Sequence, residues 1–109
     1  MKVYMEGAIA HLKGDFTKSG VTNGGIDSLV DSLHQIELGG ENNVRINCGK
    51  IRAADVFGLQ LLYVWMQCAR FIGAEPELFN LPDSMQKAVR MMRLEHCFPL
   101  AFPMRNSRI

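Results

Sequence analysis

The stretch Asn47-Cys48-Gly49-Lys50-Ile51-Arg52-Ala53-Ala54-Asp55-Val56-Phe57-Gly58-Leu59 decides how this chain is read. Just before and into it, Val44-Arg45-Ile46-Asn47-Cys48 alternates apolar and polar residues with the period of two that a strand requires. Beyond it, Gly58 to Ile72 is almost wholly apolar and carries its few polar residues, Gln60, Tyr63, Gln67 and Arg70, at helical spacings of three and four. Strand, loop and apolar helix together make the repeating unit of an α/β domain, whose chemistry gathers at the carboxyl ends of the strands. At the loop itself Val56 and Phe57, between Asp55 and Gly58, are hydrocarbon where a hydroxyl or a charge would be sought.

Working outward, Met1 to Met5 and Ala8 to Leu12 are short apolar stretches separated by Glu6-Gly7, which predicts a hairpin. Ile26, Leu29, Val30, Leu33 and Ile36 follow helical spacing and Asp27, Asp31, Ser32 and Gln35 take the other side, so an amphipathic helix is expected, ended by Gly39-Gly40. The helix after the loop is expected to be covered on most of its circumference, with Leu61, Leu62, Trp65, Met66, Cys68, Ala69 and Phe71 facing protein. Leu78-Phe79-Asn80-Leu81 reads as a further strand. A last helix is predicted from Asp83, capped by that side chain with Gln86 at the capping-box spacing, and facing inward through Met85, Ala88, Val89 and Met92.

At 109 residues, with 48% hydrophobic and 21% charged residues, the composition is that of one globular domain. Residues 1–98 are assigned to it and 99–109 to a C-terminal tail. A net charge of +1 supplies no field that argues for nucleic acid or an anionic membrane. No signal peptide or membrane-length apolar run is visible, and three widely spaced cysteines suit reduced thiols, so the expected location is the cytoplasm.

Most catalytic signatures are missing. Gly49-Lys50 is not the end of a phosphate-binding loop, because Ile51 stands at the hydroxyl position and the earlier glycine is absent. No glycine-rich dinucleotide fingerprint follows a strand. His96-Cys97 has no partner at ligand spacing, so no metal site and no cofactor are expected. Lys87, Arg90 and Arg93 spread around their helix and read as solvated surface. Cys48 is expected to be a small buried hydrophobe; an enzyme or small-ligand or nucleotide carrier using Cys48, Asp15 and Asp55 around a pocket is the outside alternative.

The order of elements, together with Leu12-Lys13-Gly14-Asp15-Phe16, Val44-Arg45-Ile46-Asn47, Gly58-Leu59-Gln60-Leu61-Leu62, Leu78-Phe79-Asn80-Leu81 and Arg93-Leu94-Glu95-His96-Cys97-Phe98, resembles a STAS domain, the module shared by sulphate transporters and bacterial anti-sigma factor antagonists. The resemblance spans nearly all of residues 1–98. It implies a single α/β domain with a mixed, mainly parallel sheet of four to five strands packed with three to four helices. It also implies a non-catalytic signalling module in transcription regulation, with an anti-sigma factor or related kinase as partner. A subunit of a transport or sensory complex is the alternative, and a homodimer is a further expectation. No nucleic acid and no direct membrane insertion are expected.

In the antagonists that this chain resembles, the loop reads Asp-Ser-Ser-Gly-Leu or similar, and a kinase phosphorylates the residue after the aspartate to switch binding off. Here that residue is Val56, which cannot carry phosphate, so no phosphoacceptor is expected in the loop. Asp55 is expected to order the loop by hydrogen bonding. Asp15, Thr17, Lys18, Asp55, Val56, Phe57 and Gly58 are the expected partner-binding residues, with Thr17, Ser19 and Ser84 left as hydroxyls elsewhere.

Overall fold

The structure is a computed structural model that describes residues 1–40, 42–93 and 98. Along the chain run strands β1 (Lys2–Glu6) and β2 (Ile9–Phe16), helix α1 (Asn23–Gly39), strand β3 (Asn43–Ala54), helix α2 (Val56–Phe71), strand β4 (Glu75–Phe79) and helix α3 (Asp83–Met91). The strands make one sheet in the order β1-β2-β3-β4. The β1–β2 hairpin is antiparallel and turns at Gly7, whose φ of 63° suits glycine; β2–β3 and β3–β4 are parallel. The expected mixed, mainly parallel sheet and the expected order of elements are therefore observed.

A sheet whose parallel strands are added in one direction receives its right-handed crossover helices on one face. Burial follows that rule. Val3, Ala10, Leu12, Val44, Ile46, Cys48 and Leu78 face the helices and are buried, while Lys2, Tyr4, Glu6, Lys13, Arg45, Glu75 and Glu77 stand on the other face and are exposed. Among the described residues no element covers that second face. β4 admits Pro76 because it is an edge strand, paired only with β3.

β3 is much longer than its alternating segment predicts. The alternating segment ends at Cys48, yet the strand runs on, and Cys48 and Ile51, three residues apart, are both buried. The register supplies the reason: His11 pairs with Asn47 but Lys13 with Lys50, and Gly14 pairs with Ile51 but Asp15 with Ala53. Twice β3 holds one residue more than β2, and each bulge resets which side chains face inward. Most of the expected loop is therefore strand, and α2 starts at Val56 instead of Gly58.

α1 and α2 are also seated differently from their patterns. α1 begins at Asn23, capped by the Thr22 hydroxyl accepting from the Gly25 N–H at 3.1 Å, and it buries Gly25, Leu29, Ser32 and Ile36 while Ile26 and Val30 are exposed. Ser32, expected on the polar side, is only 1% exposed. Its hydroxyl donates to the Leu29 carbonyl at 2.6 Å and accepts from the Trp65 indole N–H at 2.9 Å; that N–H also reaches the Leu29 carbonyl at 3.2 Å. Burying the large indole under α1 requires a partner for its N–H, and Ser32 supplies one, which rotates the helix away from its most apolar stripe.

α2 buries Gly58, Leu59, Leu62, Trp65, Met66 and Ala69, but the expectation of near-complete cover is wrong: Val64, Cys68 and, at 90%, Phe71 are exposed. α3 is not capped by Asp83. Its N-cap is Pro82 without a side-chain bond, Asp83 sits in the first turn, and the Gln86 amide turns back to the Leu81 carbonyl at 3.0 Å. Met85 and Val89 are buried as expected. β4 closes at Phe79, since Asn80 already has a φ of 57°. Most of the expected closing segment and the whole tail lie outside the described residues.

Ser32→Ala should lower the unfolding free energy by about 1–2 kcal/mol, because it strips a buried donor of one partner. Ile26→Ala and Val30→Ala, on the exposed flank of the same helix, should each stay within about 0.5 kcal/mol. Urea unfolding followed through Trp65, the chain's one tryptophan, measures all three; equal losses would mean that α1 is seated on its apolar stripe after all.

Candidate docking site at the carboxyl ends of the parallel strands

Between β3 and α2 a single residue, Asp55, makes the turn with φ −123° and ψ −175°. One of its carboxylate oxygens accepts from the Gly58 N–H at 3.0 Å and so caps α2. The other accepts from the Lys18 N–H at 3.0 Å, in the turn that follows β2. Its own N–H donates to the Phe16 carbonyl at 3.3 Å. One carboxylate thus ties two chain segments 37 residues apart, and the link runs through main-chain donors.

The partner turn is built in the same way. Asp15 accepts from the Thr17 N–H at 3.2 Å, and the Thr17 carbonyl accepts from Gly20 and Val21 at 2.9 and 3.1 Å. The Thr17 and Ser19 hydroxyls lie 3.4 Å apart. A Cβ on Gly20 would come within 2.4 Å of the Asp15 carbonyl oxygen, so the turn closes only over a glycine. At Gly58 the constraint is stronger, since a Cβ there would lie 1.6 Å from the Phe16 carbonyl oxygen. The first turn of α2 rests on the end of β2 with no room for a side chain.

Val56 and Phe57 follow the cap on the outer side of α2 and are 49% and 40% exposed. From Phe57 the apolar positions Leu61, Val64, Cys68 and Phe71 recur at spacings of four, three, four and three, which keeps them on one face of the helix. Leu61 is partly buried and the other four are exposed. This stripe was legible in the sequence as a seven-residue spacing from Phe57 through Val64 to Phe71, but the assumption of full burial concealed it.

All seven expected site residues, Asp15, Thr17, Lys18, Asp55, Val56, Phe57 and Gly58, fall at this edge of the sheet. Cys48 does not join them: it is buried among the helices, and burial pushes its thiol up to about 12. It is therefore a neutral thiol at physiological pH and no thiolate nucleophile. The Gly58 N–H, and after it the Lys18 N–H, hold the Asp55 carboxyl below its ordinary value of 3.8. No group of three or more His, Cys, Asp or Glu side chains that could hold a metal occurs among the described residues, and His96-Cys97 lies outside them. None of the described helices is long and apolar enough to cross a membrane.

The fold has known counterparts. The anti-sigma factor antagonist SpoIIAA, in its unphosphorylated form, superposes with a TM-score of 0.62 over 97% of this chain and 91% of that one, at 14% identity. A second solved structure, Mglu, gives 0.53 over 76% of this chain at 22% identity, and the chain spans a fifth of its length. No family model matches the sequence, and no curated protein matches it. The architecture is that of the STAS fold, as the sequence motifs implied.

Gly58→Ala should cost about 3 kcal/mol or more, since the new methyl group meets a backbone carbonyl that cannot move without β2; a loss below 1 kcal/mol would contradict this junction. The depressed Asp55 carboxyl means that the folded state binds fewer protons than the unfolded one near pH 3.8. Its stabilisation is present above 3.8 and is lost as pH falls through the lower folded value. The unfolding midpoint should therefore drop more steeply in acid for the wild type than for Asp55→Asn, as read by thermal melts across that range.

Proposed function

We propose that this chain is a non-catalytic protein-interaction module of the anti-sigma factor antagonist kind, which binds a regulatory protein through the edge formed by Asp15 to Lys18 and Asp55 to Gly58. The observation that carries this reading is the bridge from Asp55 to the Lys18 and Gly58 N–H groups, which holds both segments in one surface and presents Val56 and Phe57 to solvent. Exposed hydrocarbon on a rigid, hydrogen-bonded platform suits a contact surface better than a reaction centre. The likeness in fold to SpoIIAA supports the same class of partner, an anti-sigma factor or a related kinase.

The switch is proposed to be absent from this loop. Phosphate adds close to two negative charges and needs a hydroxyl, and Val56 stands where the antagonists carry one. Asp55 has both carboxylate oxygens occupied by main-chain donors, so its role is structural. The partner therefore meets a loop that is always uncharged at Val56. The apolar stripe running on to Phe71 extends the available surface along α2. That extension equally suits a subunit seated in a larger transport or sensory complex.

Immobilised wild-type protein and Val56→Asp, exposed to native lysate, should differ in one specifically retained partner, whose affinity is then measured directly. Val56→Asp places an unpaired charge in the contact and should weaken binding about a hundredfold or more. Phe57→Ala should cost about 1–3 kcal/mol of binding. Because about half of each side chain is exposed, unfolding midpoints should move far less than binding does; large losses of stability with unchanged affinity per folded molecule would reduce the two residues to packing. Mass spectrometry of protein from its own cell should find no phosphate between Asp55 and Gly58, and a phosphopeptide mapping there would overturn the absent switch.

A further inference from the structure

We propose that the open face of the sheet binds single-stranded nucleic acid, with the phosphate backbone along a row of three lysines and the bases against the neighbouring row of aromatic and amide side chains. This surface is separate from the docking edge. Lys2 pairs directly with Lys13 across β1–β2, and Lys13 with Lys50 across β2–β3. All three are exposed, and none has a side-chain ion pair or hydrogen bond among the described residues. Like charges directly opposite each other on a sheet destabilise it. The first β3 bulge creates the arrangement: without the extra residue between Asn47 and Lys50, strict alternation would turn Lys50 toward the helices.

Two residues along β2, about 6.6 Å away at the rise of a strand, lies a second row that crosses the whole sheet, Tyr4 to His11 to Asn47 to Phe79. The Tyr4 and His11 rings stack with centroids 4.9 Å apart and planes 16° off parallel. The Asn47 amide lies 3.3 Å from His11 Nδ1, and its oxygen accepts from the Gly49 N–H at 2.9 Å and from the Asn80 amide at 3.3 Å. Arg45 lies over the Phe79 ring at 4.3 Å. On the far side of this row Glu6 pairs with Ile9, Ile9 with Arg45 and Arg45 with Glu77, and the Glu6 carboxylate reaches back to His11 Nε2 at 2.9 Å.

The face is therefore ordered as a cation row, an aromatic and amide row, and a mixed row in which Glu6 and Glu77 flank Arg45. Non-specific single-strand binding needs cations that follow the backbone and flat side chains that accept bases of any sequence; the lysines provide the first, and Tyr4, the exposed member of the second row, held by its stacking on the partly buried His11, provides the second. An acidic peptide would use the lysines but gain nothing from Tyr4, and a duplex would keep its bases turned inward, away from the second row. The net charge of +1 hides this surface, because opposite charges are separated by position on the sheet and not by number.

Fluorescence anisotropy with a labelled oligouridylate of about 12 nucleotides, titrated from about 50 to 200 mM salt, tests the proposal. Three phosphate contacts should give a slope of log affinity on log salt of about −2. Lys13→Ala should weaken binding about five- to tenfold, bring the slope to about −1.4, and leave the unfolding midpoint unchanged or raised because a like-charge pair is relieved. Tyr4→Ala should weaken binding about fivefold or more with the slope unchanged. Lys87→Ala, which removes the same charge from α3, should bind as the wild type does. The proposal is overturned by the absence of binding at the lowest salt, by a duplex of equal length binding as tightly, or by polyglutamate competing equally while Tyr4→Ala binds normally.

Discussion

The close approach of the Phe16 carbonyl to Gly58 is the constraint on which the rest of the architecture turns. The carbonyl ends β2, abuts the first turn of α2 and accepts from the Asp55 N–H. With no side chain at Gly58, the helix can drop onto the strand end, which brings Asp55 within reach of the turn after β2 and sends Leu59, Leu62 and Trp65 into the core. A larger residue there would lift α2 and separate all of these contacts together. The docking edge and the hydrophobic core are thus fixed by one steric fact.

The two faces of the sheet follow from the same placement. Helices seated on one face bury a continuous apolar layer, and among the described residues nothing seals the other. The buried face is determined by hydrophobic burial and tolerates a polar residue only where a partner is present, as with Ser32 under the Trp65 indole. The open face is arranged by register, because which charges become neighbours depends on which strands pair and where β3 bulges. Function is proposed at the surfaces where burial does not dictate the residue.

The edge at the ends of β2 and β3 is held by its main-chain frame and not by its exposed side chains. Its frame rests on backbone donors, a capping aspartate and two glycines against carbonyls, none of which involves the side chain of Val56. Asp55 has a structural reason to be an aspartate, since its two carboxylate oxygens accept from the Gly58 and Lys18 N–H groups. Val56 and Phe57 stand outside this frame and are exposed.

Much of the fold was legible in the sequence. The hairpin at Glu6-Gly7, the order of strands and helices and the alternating Val44 to Cys48 came from local periodicity and turn chemistry, which act over a few residues, while the choice of candidate residues near Asp15 and Asp55 came from the resemblance to STAS domains. The rest needed the tertiary structure because its causes are not local. The bulges that carry β3 past Cys48 exist only against β2. The rotation of α1 onto Ser32 answers an indole 33 residues away. The exposure of Phe71 depends on which side of α2 the sheet occupies, and a lysine row drawn from Lys2, Lys13 and Lys50 appears only once three strands are paired. Sequence determined the elements, since hydrogen-bonding period and side-chain pattern are written residue by residue; packing decided their register and facing, since those minimise the burial of unpaired polar groups over the whole molecule.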